Sequence, residues 1–266
     1  VAINSASLGV LFAAQGKYAA SISAFEEALK DFKQANDQTW IMVEAKARYG
    51  DVLSAVGRWS EGQTSLNDAV KQATDVNNDV VLARALGFMG DSYFYSGDFA
   101  NAKQQYDHAL QVATKAKSQE VMTILRFDMA RLDVMQNRQA AAVPALKKLV
   151  EESDSLGLKA LSVQASVWLA QALIGSNKMA DAQAELDRAL NRSEKLGLQV
   201  EQARAHFLLG EIYGRAGKTR EASPQYQETV RILESISKES GAGRLLDRSD
   251  LKDLYRDAVK AYQGDG

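Results

Sequence analysis

The chain has 266 residues, 46% of them hydrophobic and 25% charged, and its 32 basic and 34 acidic side chains leave a net charge of −2 at pH 7. That near balance supplies no field to draw it to nucleic acid or an anionic membrane, and the absence of cysteine removes disulfides, thiolate catalysis and thiolate metal sites together. No apolar run reaches the roughly 18 residues that span a bilayer, no leader of the secretory type opens the chain, and two prolines among abundant Ala, Leu, Gln, Glu and Lys favour helix over sheet.

Taken in chain order, the predicted elements are paired helices, and the pairs recur. The first helix, "VAINSASLGVLFAAQ", carries no charged side chain, which predicts that something upstream packs on it. It contains Leu8-Gly9 and is closed by Gly16. The next helix brings Phe25 and, three residues on, Ala28, and is closed by Asn36, so the first unit is about residues 1–37. Residues 38–78 repeat the order with Tyr49-Gly50, Gly57, Leu66, Ala69 and Asn77, and residues 79–118 with Met89-Gly90, Gly97, Tyr106, Ala109 and Lys117. Residues 119–158 carry Met129-Ala130, Asn137, Leu146, Leu149 and Gly157; residues 159–198 carry Leu169-Ala170, Asn177, Leu186, Ala189 and Gly197. Residues 199–238 close the series with Leu209-Gly210, Gly217, Tyr226 and Thr229.

Successive large-small pairs are separated by 41 and then four times by 40 residues, the mark of a stacked repeat. A Gly inside a helix costs about 1 kcal/mol relative to Ala, so its use at four of six equivalent places predicts close helix contact there. Residues 239–248, "ESGAGRLLDR", break the rhythm and are predicted as a loop. A last helix over residues 249–266 follows, with Leu251, Leu254, Tyr255, Ala258, Val259 and Tyr262 on one stripe, the form of a cap on an open-ended array.

This pattern resembles the tetratricopeptide repeat family over about residues 1–238. The third repeat carries it best, through Leu86, Met89, Gly90, Tyr93, Gly97, Phe99, Ala102, Tyr106 and Ala109. The first repeat matches through Leu8, Gly9, Phe12, Gly16, Tyr18 and Phe25, and the sixth through Leu209, Gly210, Tyr213, Gly217, Ala222 and Tyr226. The period of 40 exceeds the commoner one of about 34, as in family members that act as signalling scaffolds. The resemblance implies an all-α, right-handed superhelical solenoid of antiparallel helix pairs, with Tyr93 and Phe99 in the core. It also implies a concave groove lined by the first helix of each pair.

Catalytic chemistry is not legible. "DVNNDV" at 75–80 begins like a calcium loop, but Val80 stands where the sharp turn needs Gly and Leu86 where a bidentate Glu is needed. "GAGRLL" at 241–246 is half a dinucleotide fingerprint with no strand before it. His108 and His206 have no partners at metal-ligand spacing. No enzyme, metal or cofactor is expected. The groove-facing positions of the first helices are Arg48 and Asp51; Arg84, Phe88, Asp91 and Tyr95; Phe127 and Arg131; and Trp168 and Gln171, with Glu44, Arg204 and Glu211 in the same phase. Aromatics beside Arg and Asp are what peptide recognition uses; the competing expectation is that these side chains pair with each other. The Lys and Asn of the family's two-carboxylate clamp are missing, since Ala6, Val10 and Arg48 stand at those positions.

The expected function is therefore non-enzymatic protein-protein interaction, with a peptide or helix segment as partner and without nucleic acid or membrane insertion. The alternative is the sensor or scaffold region of a larger signalling protein, a bacterial kinase or transcription regulator. Because the chain opens on Val1, an upstream domain of the same polypeptide is expected. A cytoplasmic location is a separate expectation.

Overall fold

Among the described residues, eleven adopt a positive φ in the left-handed region: Gly16, Asn36, Gly57, Asn77, Gly97, Lys117, Asn137, Gly157, Asn177, Gly197 and Gly217. Ten of these are the Gly and Asn helix stops predicted from the sequence, and Lys117, the exception to that pattern, takes the same conformation at the same phase. The computed structural model describes residues 1–239 and 244–263, and each stop falls between two helices. The helices are α1 (Ala2–Ala14), α2 (Tyr18–Gln34), α3 (Trp40–Ala55), α4 (Trp59–Asp75), α5 (Asp79–Ser96), α6 (Phe99–Lys115) and α7 (Gln119–Met135). Then follow α8 (Gln139–Ser155), α9 (Lys159–Gly175), α10 (Met179–Leu196), α11 (Gln199–Arg215), α12 (Thr219–Glu239) and α13 (Lys252–Gln263). No strand occurs among the described residues. At each stop the chain turns back with its amides satisfied: Gly57 N–H donates to the Ser54 carbonyl at 3.0 Å and Arg58 N–H to that of Leu53 at 2.9 Å, the paired bonds of a left-handed helix cap.

Inside a hairpin, the small residue of the first helix lies against the bulky residue sixteen positions later. A methyl on Gly9 would stand 2.8 Å from the Phe25 ring, one on Gly50 2.8 Å from Leu66, and one on Gly210 2.7 Å from the Tyr226 ring; on Gly90 it would meet Tyr106 closer still. Where Ala130 and Ala170 replace Gly, the partners are Leu146 and Leu186, and all four are buried. Small residues also join one hairpin to the next. Ala69 and Ala73 of α4 pack with Val43 and Ala47 of α3 and with Val81 and Ala85 of α5 in one buried cluster. Tyr93 and Phe99 are half-buried, not core residues. The fully buried ring is that of Phe94, which has Phe99 at 5.7 Å and Tyr95 at 5.9 Å, because one residue along a helix turns the side chain by about 100°.

The chain forms two compact units, Val1–Leu125 with Ser237–Ser249, and Arg126–Ile236 with the residues from Asp250 onward. In the first unit, the hairpins α1–α2, α3–α4 and α5–α6 stack in order, and α3 lies beside α5. The outer face of α1 is apolar and open, with Ile3, Leu8 and Leu11 each about half exposed. In the second unit, α8 to α11 stack in order and α13 packs on α11. Residues 240–243 of the predicted loop, and with them the start of "GAGRLL", lie outside the described residues. The remainder contains a single 3-10 turn, Leu245–Asp247, with Leu245 fully buried.

Three substitutions test this grammar. Gly9→Ala gains about 1 kcal/mol of helix propensity but forces a methyl into the Phe25 ring, at about 1–3 kcal/mol. A net loss of stability in urea denaturation is expected, and Gly9→Ala/Phe25→Leu, which copies the Ala130 and Leu146 pair, should be more stable than the two single losses added together. Lys117 is the one left-handed stop that is neither Gly nor Asn. Lys117→Gly removes a Cβ penalty of about 1–2 kcal/mol against a smaller gain in unfolded-state entropy, so the melting temperature should rise.

Candidate interaction site on the first helices

Residues on successive first helices share a phase because every hairpin is built to the same length. In the first unit this places Glu44 and Arg48 of α3 beside Arg84 and Phe88 of α5. Glu44 Oε1 accepts from Arg48 Nε at 2.8 Å and from Arg84 Nη1 at 3.0 Å, and Arg84 Nη2 donates to Glu120 at 3.0 Å. The Arg48 guanidinium also lies 5.7 Å from the centre of the Phe88 ring. Arg48, Arg84 and Phe88 are thus brought together in a charge ladder that runs from repeat to repeat. These pairs are partly exposed, and each stabilises the fold by roughly 0–1 kcal/mol.

The other predicted residues of this unit separate. Asp51 is half-buried on α3. Asp91 turns into its own hairpin and accepts from the Tyr106 hydroxyl at 2.7 Å. Tyr95 is buried under a segment from the far end of the chain. The Arg248 guanidinium covers its ring at 3.9 Å, its carbonyl accepts from Ser249 N–H at 2.8 Å, and Ser249 Oγ donates to the Phe94 carbonyl. Four residues before Arg248, Arg244 lies 5.2 Å from the Trp59 ring. It also sits so close to Gly57 that a methyl there would come within 2.7 Å of the Arg244 carbonyl oxygen. Neither Trp59 nor residues 244–249 appear among the predicted site residues. Two arginines four apart around an apolar Leu245 were the available signal, in a stretch that otherwise reads as a loop.

In the second unit the predicted residues are likewise engaged. Phe127 is buried, with the Arg131 guanidinium 5.8 Å from its ring, and Arg131 pairs with Asp128 at 3.3 Å. Arg204 stacks 4.2 Å over Trp168, reaches Gln171 at 3.3 Å, and donates to Asp250 at its side chain (2.8 Å) and its carbonyl (3.0 Å). Burial raises the Glu211 carboxyl above its ordinary range, opposed by Arg215. His206 bonds Gln225 at 2.7 Å, a structural role. Among the described residues no group of three or more His, Asp or Glu could hold a metal, and no helix is long and apolar enough to cross a membrane.

Arg204 and Asp250 are both almost fully buried, so removing one partner strands the other charge. Asp250→Ala should destabilise the chain by about 3–5 kcal/mol, and Asp250→Asn by less, as read by chemical denaturation.

The family model described as tetratricopeptide repeat matches residues 41–115 and 162–235. Among solved structures, the chain is similar to a Rap protein complexed with competence and sporulation factor: 14% identity, TM-score 0.68, covering 90% of this chain and 65% of that one. It is similar also to the Rap conjugation gene regulator of plasmid pLS20 in complex with the Phr* peptide: 12% identity, TM-score 0.66, 95% and 74% covered. A third is the Signal Transduction ATPase with Numerous Domains with a tetratricopeptide repeat sensor from Pyrococcus horikoshii: 12% identity, TM-score 0.59, 98% and 41% covered. At these identities the likeness is one of fold. The chain spans about two thirds of the first protein's length and under half of the last. Comparison with curated protein sequences finds no match.

Proposed function

The chain belongs to the tetratricopeptide repeat family, and we propose that it is a non-enzymatic scaffold whose first helices receive a peptide or helix segment of a partner protein. One observation carries this reading: in the first unit, Tyr95 and the end of α5 already grip a short segment through its main chain and an arginine. Main-chain bonds supply affinity without regard to sequence, and the arginine over an aromatic ring supplies selectivity. The regulator of plasmid pLS20, solved with a peptide, supports the same use of the fold.

The array works within a larger signalling protein in a second reading, as its sensor or scaffold. This is supported by the Pyrococcus protein, in which a tetratricopeptide repeat sensor accompanies an ATPase, and by the part-length match to it. A partner of either kind meets Arg48, Arg84 and Phe88 as a preassembled ladder, so recognition exchanges existing ion pairs for new ones.

Peptides selected from a phage-displayed random library on the immobilised chain test the proposal. Selected peptides should lose about tenfold or more in affinity on Arg84→Ala/Phe88→Ala, in line with the loss of one or two hot-spot residues, while the helical circular dichroism is retained. Undiminished binding to that variant would move recognition away from the first helices.

A further inference from the structure

Residues 244–249 cross two equivalent places in the repeat. Gly57 ends the first helix of the second hairpin and Gly97 that of the third. Arg244 lies against Gly57, and the Ser249 Cβ is 3.8 Å from the position a Gly97 methyl would take. A helix C-terminus carries unpaired carbonyls and a partial negative charge, so it favours donors and cations. The segment supplies both: Ser249 gives its N–H and hydroxyl to the Tyr95 and Phe94 carbonyls. Arg248 and Arg244 each cover the aromatic ring next to one of these ends, Tyr95 and Trp59. Leu245 is fully buried, whereas the Arg244 and Asp247 side chains are 65% and 56% exposed.

We propose that Gly57, Trp59, Phe94 and Tyr95 form a peptide site for the pattern Arg-Leu-x-x-Arg-Ser. Residues 244–249 are its resident occupant, which a partner segment of the same pattern displaces. The inference rests on the peptide-binding reading above and names the partner's chemistry: a basic segment with one arginine for each of two neighbouring repeats. Occupancy in cis follows from the tether, because a segment joined by a short linker has an effective concentration on the order of millimolar. A free peptide with an intrinsic Kd of about 10 µM is then weakened about 100-fold.

The test uses the fluorescein-labelled peptide Arg-Leu-Leu-Asp-Arg-Ser-Asp, the sequence of residues 244–250, and fluorescence anisotropy. It should bind Leu245→Ala/Arg248→Ala, in which the resident is weakened, at least tenfold more tightly than the unaltered chain. Adding Gly57→Asn should abolish that gain. Asn sustains the turn, as Asn137 and Asn177 do in the fourth and fifth repeats, but its Cβ collides with the arginine backbone. Gly217→Asn, at a turn with open space, should leave the gain intact. In the unaltered chain, millimolar peptide should speed hydrogen exchange of the Ser249 amide, a measurement that needs no destabilised variant. Equal affinity for both proteins with unchanged exchange, or a gain insensitive to Gly57→Asn, would make the segment a fixed strut and overturn the inference. Library peptides lost on Arg84→Ala/Phe88→Ala would in that case still support the broader reading. No library peptide binding at all would remove both.

Discussion

Every hairpin depends on one steric constraint, the contact between a residue with little or no side chain on the first helix and the bulky residue sixteen positions later on the second. With no Cβ on Gly9, Gly50, Gly90 or Gly210, the facing side chain rests on backbone and the two axes approach closely. Dispersion contacts then add up over a large, well-fitted area. The approach also sets how sharply the chain must reverse, hence the left-handed residue just past each helix. Because contact and turn recur at a fixed phase, the outer faces of the first helices recur too. That is how the ends of two first helices come to present like surfaces to two arginines.

This constraint was almost wholly legible in the sequence, since Gly and Asn at turns and Gly or Ala before a bulky partner are local choices with local causes. Even Lys117 obeyed its position over its chemistry, taking φ of 55°. Side chains on the border between two faces were less legible. Periodicity alone does not separate Tyr93 from Phe94, and it does not reveal that Asp91 would take the Tyr106 hydroxyl in place of facing outward. Residues 244–248 read as a loop in the sequence because the partners of this segment, Tyr95 and Trp59, lie far off in the chain. No local pattern encodes a partner at such a distance.

Arginine unites the sites of both units. Arg48 on Phe88, Arg131 on Phe127, Arg204 on Trp168, and Arg244 and Arg248 on Trp59 and Tyr95 repeat one motif, a guanidinium over an aromatic ring. Lysine fits this poorly, because its compact and strongly hydrated charge offers no plane to stack. A surface rich in such residues reads equally as a ligand groove or as a network closed on itself. Here the chain uses the same interactions for its own ladder and its own segment.

The bond between Ser249 and the Phe94 carbonyl spans 155 residues of sequence, whereas a hairpin closes over sixteen. Closing a long loop forfeits more chain entropy than closing a short one, so the hairpins form early and the distant contact follows. On the ribosome the order is enforced outright. At about 5–20 residues per second, the chain between Tyr95 and Ser249 takes on the order of ten seconds to emerge. During that interval the third hairpin is complete and its aromatic end is bare, so a nascent chain passes through a state in which any competing segment meets no rival.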